Sequence, residues 1–378
     1  MGTVIAAWIS ESGNHLPTST APSRGMRLQV ALAVGVASAI FTAVAFARPD
    51  ASPDFEFWWR GAQMLLAGDN PYLVAPNTQA WPLPDPLFYP LPTLILTAPL
   101  SWLSLPVAGA VFMGISGGLL AWLVTRDGLW RLWILGSASY FMACKVGQWS
   151  PIIMAVAFLP GAGFLAAMKP NLGLALLSYR PTWSAVLGCI VVGLVSFAIL
   201  PSWLLNWHTN TASLVGHAPP ILTPVGALVL LALLRWRRPE ARLLLAMACV
   251  PQLLFFADQL PLFLIPRTRR EMKALTLCSA MGFFIWYIRF ADNPAYVLAA
   301  APYVMWSSYL PCLAMVLRRP NAGDMPEWIE RTLARVVRLP WRRPCAASSD
   351  SNTSTVEHGR HSAAVRQSCL ARAGYNVP

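Results

Sequence analysis

Charged residues are scarce in this sequence of 378 residues. Asp, Glu, Lys and Arg together make up 12% of the chain, whereas apolar side chains make up 56%. Soluble domains carry about 25% charged residues, so this composition excludes a soluble globular enzyme and a disordered protein. Long apolar runs recur between residues 28 and 317, and we therefore expect an all-α, polytopic membrane protein.

Lysine and cofactor motifs are also rare. Only three of the 28 basic residues are lysines, at Lys145, Lys169 and Lys273. The seven cysteines have no metal-ligand spacing. The chain lacks a P-loop, a dinucleotide-binding fingerprint and an HExxH motif. We predict no metal site built by the protein and no bound cofactor, and a requirement for a divalent metal stays open.

Proline, in contrast, is abundant. The chain has 33 prolines, nearly twice the usual share of ~5%, and many of them interrupt apolar runs. Because proline breaks helices, we predict short, broken helices around a cavity, most clearly in residues 151–177 and 243–265. In total we expect roughly 10–12 transmembrane or broken helices. Gly114 and Gly118 have the spacing of a close helix contact.

The distribution of charge predicts the topology. The segment 48–105 contains five acidic residues and two arginines, which indicates the outer side. The positive-inside rule assigns the basic clusters, and with them both termini, to the cytoplasm. These clusters are Arg24/Arg27, Arg126/Arg131, Arg235/Arg237/Arg238/Arg242, Arg267/Arg269/Arg270/Lys273 and Arg318/Arg319. Topology and anionic lipid explain the net charge of +12, so we expect membrane lipids and no nucleic acid as partners.

The chain divides into three predicted parts. Residues 1–27 are polar and are predicted to be a disordered cytoplasmic N-terminus. Residues 28–317 form the transmembrane domain, and residues 318–378 form a basic cytoplasmic tail with an amphipathic helix over 324–343, followed by disorder. The first apolar run ends at Ala47 in a sequence that resembles a signal-peptidase site, although its long polar start favours an uncleaved span.

A short helix is predicted within the outer segment. Ser52 has the character of an N-cap and Pro53 that of a first helical residue, and Gly68 would end the helix after Ala67. The helix is too short to span a membrane, so we expect it to lie along the surface. Asp54 would then lie at the mouth of the bundle. The simpler alternative is that Asp54 only accepts hydrogen bonds from amides at the helix start.

Residues 54–72 contain the most specific pattern in the chain. Their sequence, DFEFWWRGAQMLLAGDNPY, closely resembles the signature of glycosyltransferase family 87. Members of this family are membrane enzymes of the GT-C class that use polyprenyl-phosphate sugars, and they include mannosyl- and arabinofuranosyltransferases. Three shorter segments further along the chain are also similar to motifs of this family, each more weakly. They are Phe88-Tyr89-Pro90-Leu91, Gly147-Gln148 and Lys169-Pro170. In the first of them, the second proline of the family motif is displaced to Pro92.

The resemblance implies two catalytic functions. Asp54 occupies the position of the acidic residue in the first outer loop, where it would act as general base, and Glu56 is the second acid nearby. Lys169 would bind the phosphate of the lipid donor, with assistance from Arg60. Two alternatives stay open, since Lys169 has the character of a residue that snorkels at the end of a span, and Arg60 has the four-residue helical spacing that suits an ion pair with Glu56.

Further polar residues are candidates for contacts with substrate. Asp258 and Asp292 lie within or beside apolar runs, and each is a candidate to face the cavity. Asp292-Asn293-Pro294 is also typical of a turn. The predicted substrate-binding residues are Asn70, Tyr89, Lys145 and Gln148.

These features predict an inverting glycosyltransferase with a GT-C-like bundle in the bacterial inner membrane. It would transfer a hexose or pentose, with mannose the favoured sugar, from a polyprenyl monophosphate to a glycan, glycolipid or protein acceptor at the outer face. The alternatives are a transporter or flippase for a lipid-linked sugar and a membrane scaffold without catalytic activity.

Overall fold

The structure is a computed structural model that describes residues 22–48, 51, 53–214, 216–290, 296–323 and 331–332. The chain is mostly helical. Its α-helices are α1 (Arg24–Phe46), α2 (Phe55–Leu66), α3 (Leu91–Thr97), α4 (Leu105–Val124), α5 (Ala138–Val146), α6 (Ser150–Ile153), α7 (Ala155–Phe158), α8 (Pro170–Tyr179), α9 (Trp183–Ile199), α10 (Trp203–Ala212), α11 (Pro239–Cys249), α12 (Arg269–Phe290), α13 (Ala301–Val304) and α14 (Leu310–Leu317).

Tighter helical turns and one strand pair connect these helices. Strand β1 (His217–Ala218) pairs antiparallel with β2 (Gln252–Leu253), and a π-helical turn covers Met305–Tyr309. The 3₁₀ segments are Ala98–Trp102, Thr125–Asp127, Leu129–Gly136, Pro160–Ala167, Pro220–Leu222, Gly226–Arg235, Phe256–Asp258, Leu260–Leu264 and Leu298–Ala300.

Within the described residues, three helical stretches are long and apolar enough to cross a membrane. They are Arg24–Phe46, Leu105–Asp127 and Leu298–Leu317. A fourth would be the pair α9 and α10 taken together, which is bent by 100°. These stretches support the predicted all-α membrane protein, whereas they do not confirm the predicted number of helical passes.

Helices α1 and α4 pack closely against each other at their glycines. A Cβ added at Gly35 of α1 would lie 2.8 Å from the carbonyl oxygen of Gly114 and 3.5 Å from the Cα of Gly118. The predicted contact at the two α4 glycines is therefore confirmed, because only glycine allows the two backbones to approach this closely. The opposite face of α1 presents exposed aliphatic side chains such as Leu32 and Ile40.

The start of α1 corrects one boundary. The polar composition predicts that residues 24–27 belong to the disordered N-terminus, but they form the first turn of α1. The physical reason is a local cap, since the Ser23 hydroxyl accepts a hydrogen bond from the Met26 amide at 3.2 Å. Residues 1–21 and all but two residues of the predicted amphipathic helix over 324–343 lie outside the described residues.

The predicted helix of the segment 48–105 is α2, and it begins later than expected. The helix starts at Phe55 rather than Pro53, and the predicted cap Ser52 lies outside the described residues. Asp54 occupies the N-cap position, yet its side chain makes no capping hydrogen bond. The alternative in which Asp54 only satisfies amides at the helix start therefore has no hydrogen bond to support it.

The proline-rich regions are broken, as predicted. Residues 151–177 divide among α6, α7, the 3₁₀ segment Pro160–Ala167 and α8. In the region 243–265, α11 ends at Cys249, and the chain continues through β2 into two 3₁₀ segments. Proline cannot donate the backbone hydrogen bond that a continuous helix needs. These interruptions bring polar residues from separate segments to one cavity.

Candidate active site

A cavity of about 1710 Å³ lies among α1, α2, α5, α8, α10 and α12. Its apolar wall includes Phe41 and Phe141, whose side chains are 38% and 42% exposed. Ring contacts extend this wall, because Phe141 lies 5.4 Å from Phe41 and 5.6 Å from Phe283 between ring centroids. Its charged and amide lining includes Arg48, Asp54, Asp85, Lys145, Gln148, Lys169 and Asp258.

Asp54 lies in this cavity at the start of α2. Its Oδ2 accepts a hydrogen bond from the Gln148 side-chain Nε2 at 2.5 Å. Burial raises the pKa of Asp54 to about 6, against a lowering by the positive charge of Lys169. A carboxylate with a pKa near neutrality is suited to accept a proton during a reaction.

Gln148 is positioned by the sharp end of α5. Gly147 ends this helix in the left-handed region, at φ 72°, and a Cβ there would lie 2.6 Å from the Cβ of Phe55. Glycine is required at this turn, both for the backbone angle and for the approach of α2. The turn buries Gln148, which is 3% exposed.

The hydrogen bonds of Gln148 fix the orientation of its amide. Its Oε1 accepts from the Lys169 ammonium at 2.8 Å, from the Trp149 backbone N–H at 3.1 Å and from the Tyr89 hydroxyl at 3.4 Å. Since the oxygen faces these donors, the amide nitrogen faces Asp54. Gln148 thus connects a carboxylate to an ammonium group.

Lys169 precedes α8 and points into the same cavity. Its Nζ donates to Asp258 Oδ1 at 2.6 Å as well as to Gln148, and the Lys169 and Asp258 side chains are 12% and 11% exposed. Extended backbone is expected before Pro170, and Lys169 has φ −142° and ψ 84°. The ammonium is therefore held within the cavity by an ion pair, which differs from a side chain that extends towards the membrane surface.

Asp258 is a candidate from the sequence to face the cavity, but it is not among the predicted site residues. It ends the 3₁₀ segment Phe256–Asp258, which is held in place because the Ser150 hydroxyl donates to the Ala257 carbonyl at 2.7 Å. An ionisable residue within an apolar run is the sequence signal for it. Its partner Lys169 is 89 positions away, so the sequence does not indicate the pair.

Tyr89 contacts both Gln148 and Lys169. It is buried, and its carbonyl accepts a hydrogen bond from the Tyr72 hydroxyl at 2.9 Å. Burial raises the pKa of Tyr89 well above its ordinary value, and the negative charge of Asp54 raises it further, so its hydroxyl remains protonated and acts as a donor. The Lys169 ammonium lies 5.8 Å from the centre of the Tyr89 ring, within the range of a cation–π contact.

The other predicted residues take different positions. Lys145 lines the cavity. Glu56 and Arg60 pair with each other at 2.6 Å and are absent from the cavity lining. Asn70 is also absent from it, and its side-chain oxygen accepts from the Tyr72 amide at 3.1 Å within a turn. The structure therefore brings together Asp54, Tyr89, Gln148 and Lys169, whereas Glu56, Arg60 and Asn70 remain predictions without a contact in this cavity.

Among the described residues, no group of three or more His, Cys, Asp or Glu side chains is placed to bind a metal ion. No family model matches the chain, and neither the curated proteins nor the solved structures contain a match to it. The arrangement of the site is therefore interpreted from its own chemistry. It places a proton acceptor and a positive charge on one hydrogen-bonded path at the wall of a large, partly apolar cavity.

Proposed function

We propose that the protein is a membrane glycosyltransferase that uses a polyprenyl monophosphate sugar as its donor. The observation that carries this proposal is the path from Asp54 through Gln148 to Lys169 within one cavity. Transfer of a sugar from a phosphate needs a base for the acceptor and a cation for the leaving group. Asp54 and Lys169 have these two properties.

In the proposed reaction, Asp54 takes the proton of an acceptor hydroxyl while that oxygen attacks the anomeric carbon. The bond between the anomeric carbon and the phosphate oxygen breaks, and its electron pair remains on the polyprenyl phosphate. The Lys169 ammonium stabilises this charge. A single displacement inverts the anomeric configuration, and the help of a general base is worth about 10²–10⁴-fold in rate.

The size and surface of the cavity support a lipid-linked substrate. Its volume of about 1710 Å³ exceeds that of most pockets for one small molecule, which are about 300–1,000 Å³, so donor and acceptor fit together. The aromatic wall at Phe41 and Phe141 suits an isoprenoid chain. The resemblance of residues 54–72 to glycosyltransferase family 87 further favours a GT-C-like bundle of roughly 10–12 helical passes.

The proposal includes a location and a substrate class. We place the protein in a bacterial inner membrane with both termini in the cytoplasm and the cavity open to the outer face, because the basic clusters and the acidic segment 48–105 are distributed accordingly. The transferred sugar is a hexose or pentose, with mannose favoured by the resemblance. The acceptor is a glycan, a glycolipid or a protein.

The test uses the purified full chain in proteoliposomes with a panel of radiolabelled polyprenyl-phosphate sugars. Asp54→Asn is expected to abolish transfer while donor binding remains. Asp69→Asn is the matched control, since Asp69 is an exposed residue of the same segment outside the cavity lining. Unchanged transfer by Asp54→Asn would refute the assignment of the base. Movement of lipid-linked sugar across the bilayer without transfer would instead establish a transporter.

A further inference from the structure

The ion pair between Lys169 and Asp258 has a consequence for the departure of the lipid phosphate. Two of the three N–H groups of the Lys169 ammonium donate to protein acceptors, one to Gln148 and one to Asp258. The cation proposed to bind phosphate is thus already paired with a carboxylate of the protein. A phosphate that binds Lys169 must share or replace this carboxylate.

The balance of charge makes this competition strong. The hydrogen-bonded path contains the single ammonium of Lys169 and the carboxyl groups of Asp54 and Asp258. After transfer Asp54 holds the acceptor proton, so Asp258 is the carboxylate of this path that faces the released phosphate. A phosphodiester donor adds one negative charge, whereas a released phosphate monoester carries about −1.5 to −2 at neutral pH. Repulsion by Asp258 therefore disfavours the product, polyprenyl phosphate, more than it disfavours the donor.

The two partners of this ion pair differ in how firmly they are anchored. Asp258 lies on a short segment anchored by the hydrogen bond from Ser150 to Ala257 at 2.7 Å. The adjacent Gln259 is buried, and its Nε2 donates to the Phe255 carbonyl at 3.0 Å. Lys169, in contrast, reaches Asp258 through a flexible four-carbon chain. The carboxylate is therefore the more firmly held of the two groups, and the ammonium has the greater freedom to turn towards a second acceptor.

We propose that Asp258 is a positioning residue that promotes product release, because it competes with the leaving polyprenyl phosphate for the Lys169 ammonium. This inference rests on the proposed function and adds a step to it. While the donor is bound, Lys169 contacts the phosphate. When the sugar has been transferred, the ion pair with Asp258 forms again as the polyprenyl phosphate leaves.

The experiment measures binding of polyprenyl phosphate to the full chain in nanodiscs, together with single-turnover and steady-state transfer. Asp258→Asn keeps the side-chain shape and removes the charge. It is expected to tighten polyprenyl phosphate binding about tenfold and to lower kcat, while the single-turnover rate changes little. Asp69→Asn is the matched control, because Asp69 is an exposed carboxylate outside the cavity lining, and its affinity for polyprenyl phosphate should stay near that of the wild type.

Two results would overturn the inference. Weaker or unchanged binding of polyprenyl phosphate to a folded Asp258→Asn protein would indicate that Asp258 only supports the structure. If that variant does not fold, infrared difference spectroscopy of the wild-type protein replaces it. Loss of the ion pair on binding of polyprenyl phosphate should shift a carboxylate stretching band, and binding without a shift would contradict the proposal.

The outcomes also separate this inference from the proposed function. A wild-type protein that neither binds polyprenyl phosphate nor transfers sugar refutes the proposed function, and with it the release step. A wild-type protein that does both, with no tighter binding in Asp258→Asn, refutes the release step alone.

Discussion

Under the proposed function, the substitution Gln148→Glu tests whether the hydrogen bond to Asp54 controls the pH dependence of sugar transfer. Gln148 donates to Asp54 Oδ2 at 2.5 Å, and Asp54 has a pKa of about 6. Because the base must be ionised, kcat/KM is expected to be at its plateau above pH 6 and to fall as the pH drops through 6. The variant replaces an amide donor by a second carboxyl group at almost the same position.

The direction of the expected change follows from this geometry. Two carboxyl groups that share a site repel each other when both are ionised, which strongly raises one of their pKa values. The two groups then titrate as a pair. Lys169 offsets part of the repulsion, since its ammonium remains within reach of the new carboxylate. We therefore expect the midpoint of the kcat/KM profile to move upward by at least about one pH unit, equivalent to about 1.4 kcal/mol.

The assay is transfer of a labelled sugar in proteoliposomes, measured as kcat/KM between pH 5 and 9. At pH values below the wild-type midpoint, the rate of the variant should fall about tenfold for each pH unit by which its midpoint has moved. At high pH much of this loss should be recovered. Gln63→Glu is the control, because Gln63 lies on α2, the helix that Asp54 precedes, and donates to the Ser101 carbonyl at 2.9 Å instead of to Asp54. An unchanged midpoint in Gln148→Glu would refute the coupling.

Three further predictions concern binding and stability. Lys169→Ala should raise the KM for the donor at least about tenfold, as one lost charged contact implies, and an unchanged donor titration would remove Lys169 from the site. Asp54→Asn should raise the melting temperature at pH 7.5 but not at pH 4. A carboxyl whose pKa is raised on folding costs stability once the pH rises through about 6, and the variant removes this cost. Equal changes of the melting temperature at both pH values would contradict this reasoning. Gly35→Ala should lower the free energy of unfolding by about 1–3 kcal/mol, since the new Cβ would lie 2.8 Å from the Gly114 carbonyl oxygen. The control Gly193→Ala in α9 should not lower it, because a Cβ there has no neighbour within 4 Å. Both free energies are measured by denaturation in mild detergent.

Local patterns make part of the site predictable. The resemblance to glycosyltransferase family 87 singles out Gly147-Gln148 and Lys169-Pro170, and a glycine turn and an extended residue before proline are the local geometry that places their side chains. The ion pair to Asp258 cannot be predicted in the same way, since it depends on how segments 89 positions apart are packed. Glu56 belongs to the same sequence motif as Asp54, but it pairs with Arg60 and lies outside the cavity lining.

The fold shows the same division between local and distant causes. The breaks in residues 151–177 follow from the prolines in that region, and the α1–α4 contact follows from glycine spacing. The 3₁₀ segments Leu129–Gly136 and Gly226–Arg235, in contrast, are as apolar as membrane helices. Composition does not distinguish a 3₁₀ helix from an α-helix, because tertiary packing selects between the two.

Under the proposed function, the partly exposed aromatic wall of the cavity affects how the concentration of the donor must be expressed. Phe41 and Phe141 line the cavity and are partly exposed, and a donor with a long hydrocarbon tail would reach such a wall by diffusion within the bilayer. Its occupancy then depends on its mole fraction among the lipids and is independent of the volume of the surrounding buffer. Dilution of the donor with inert phospholipid should lower the rate even when the amount of donor per millilitre is held constant.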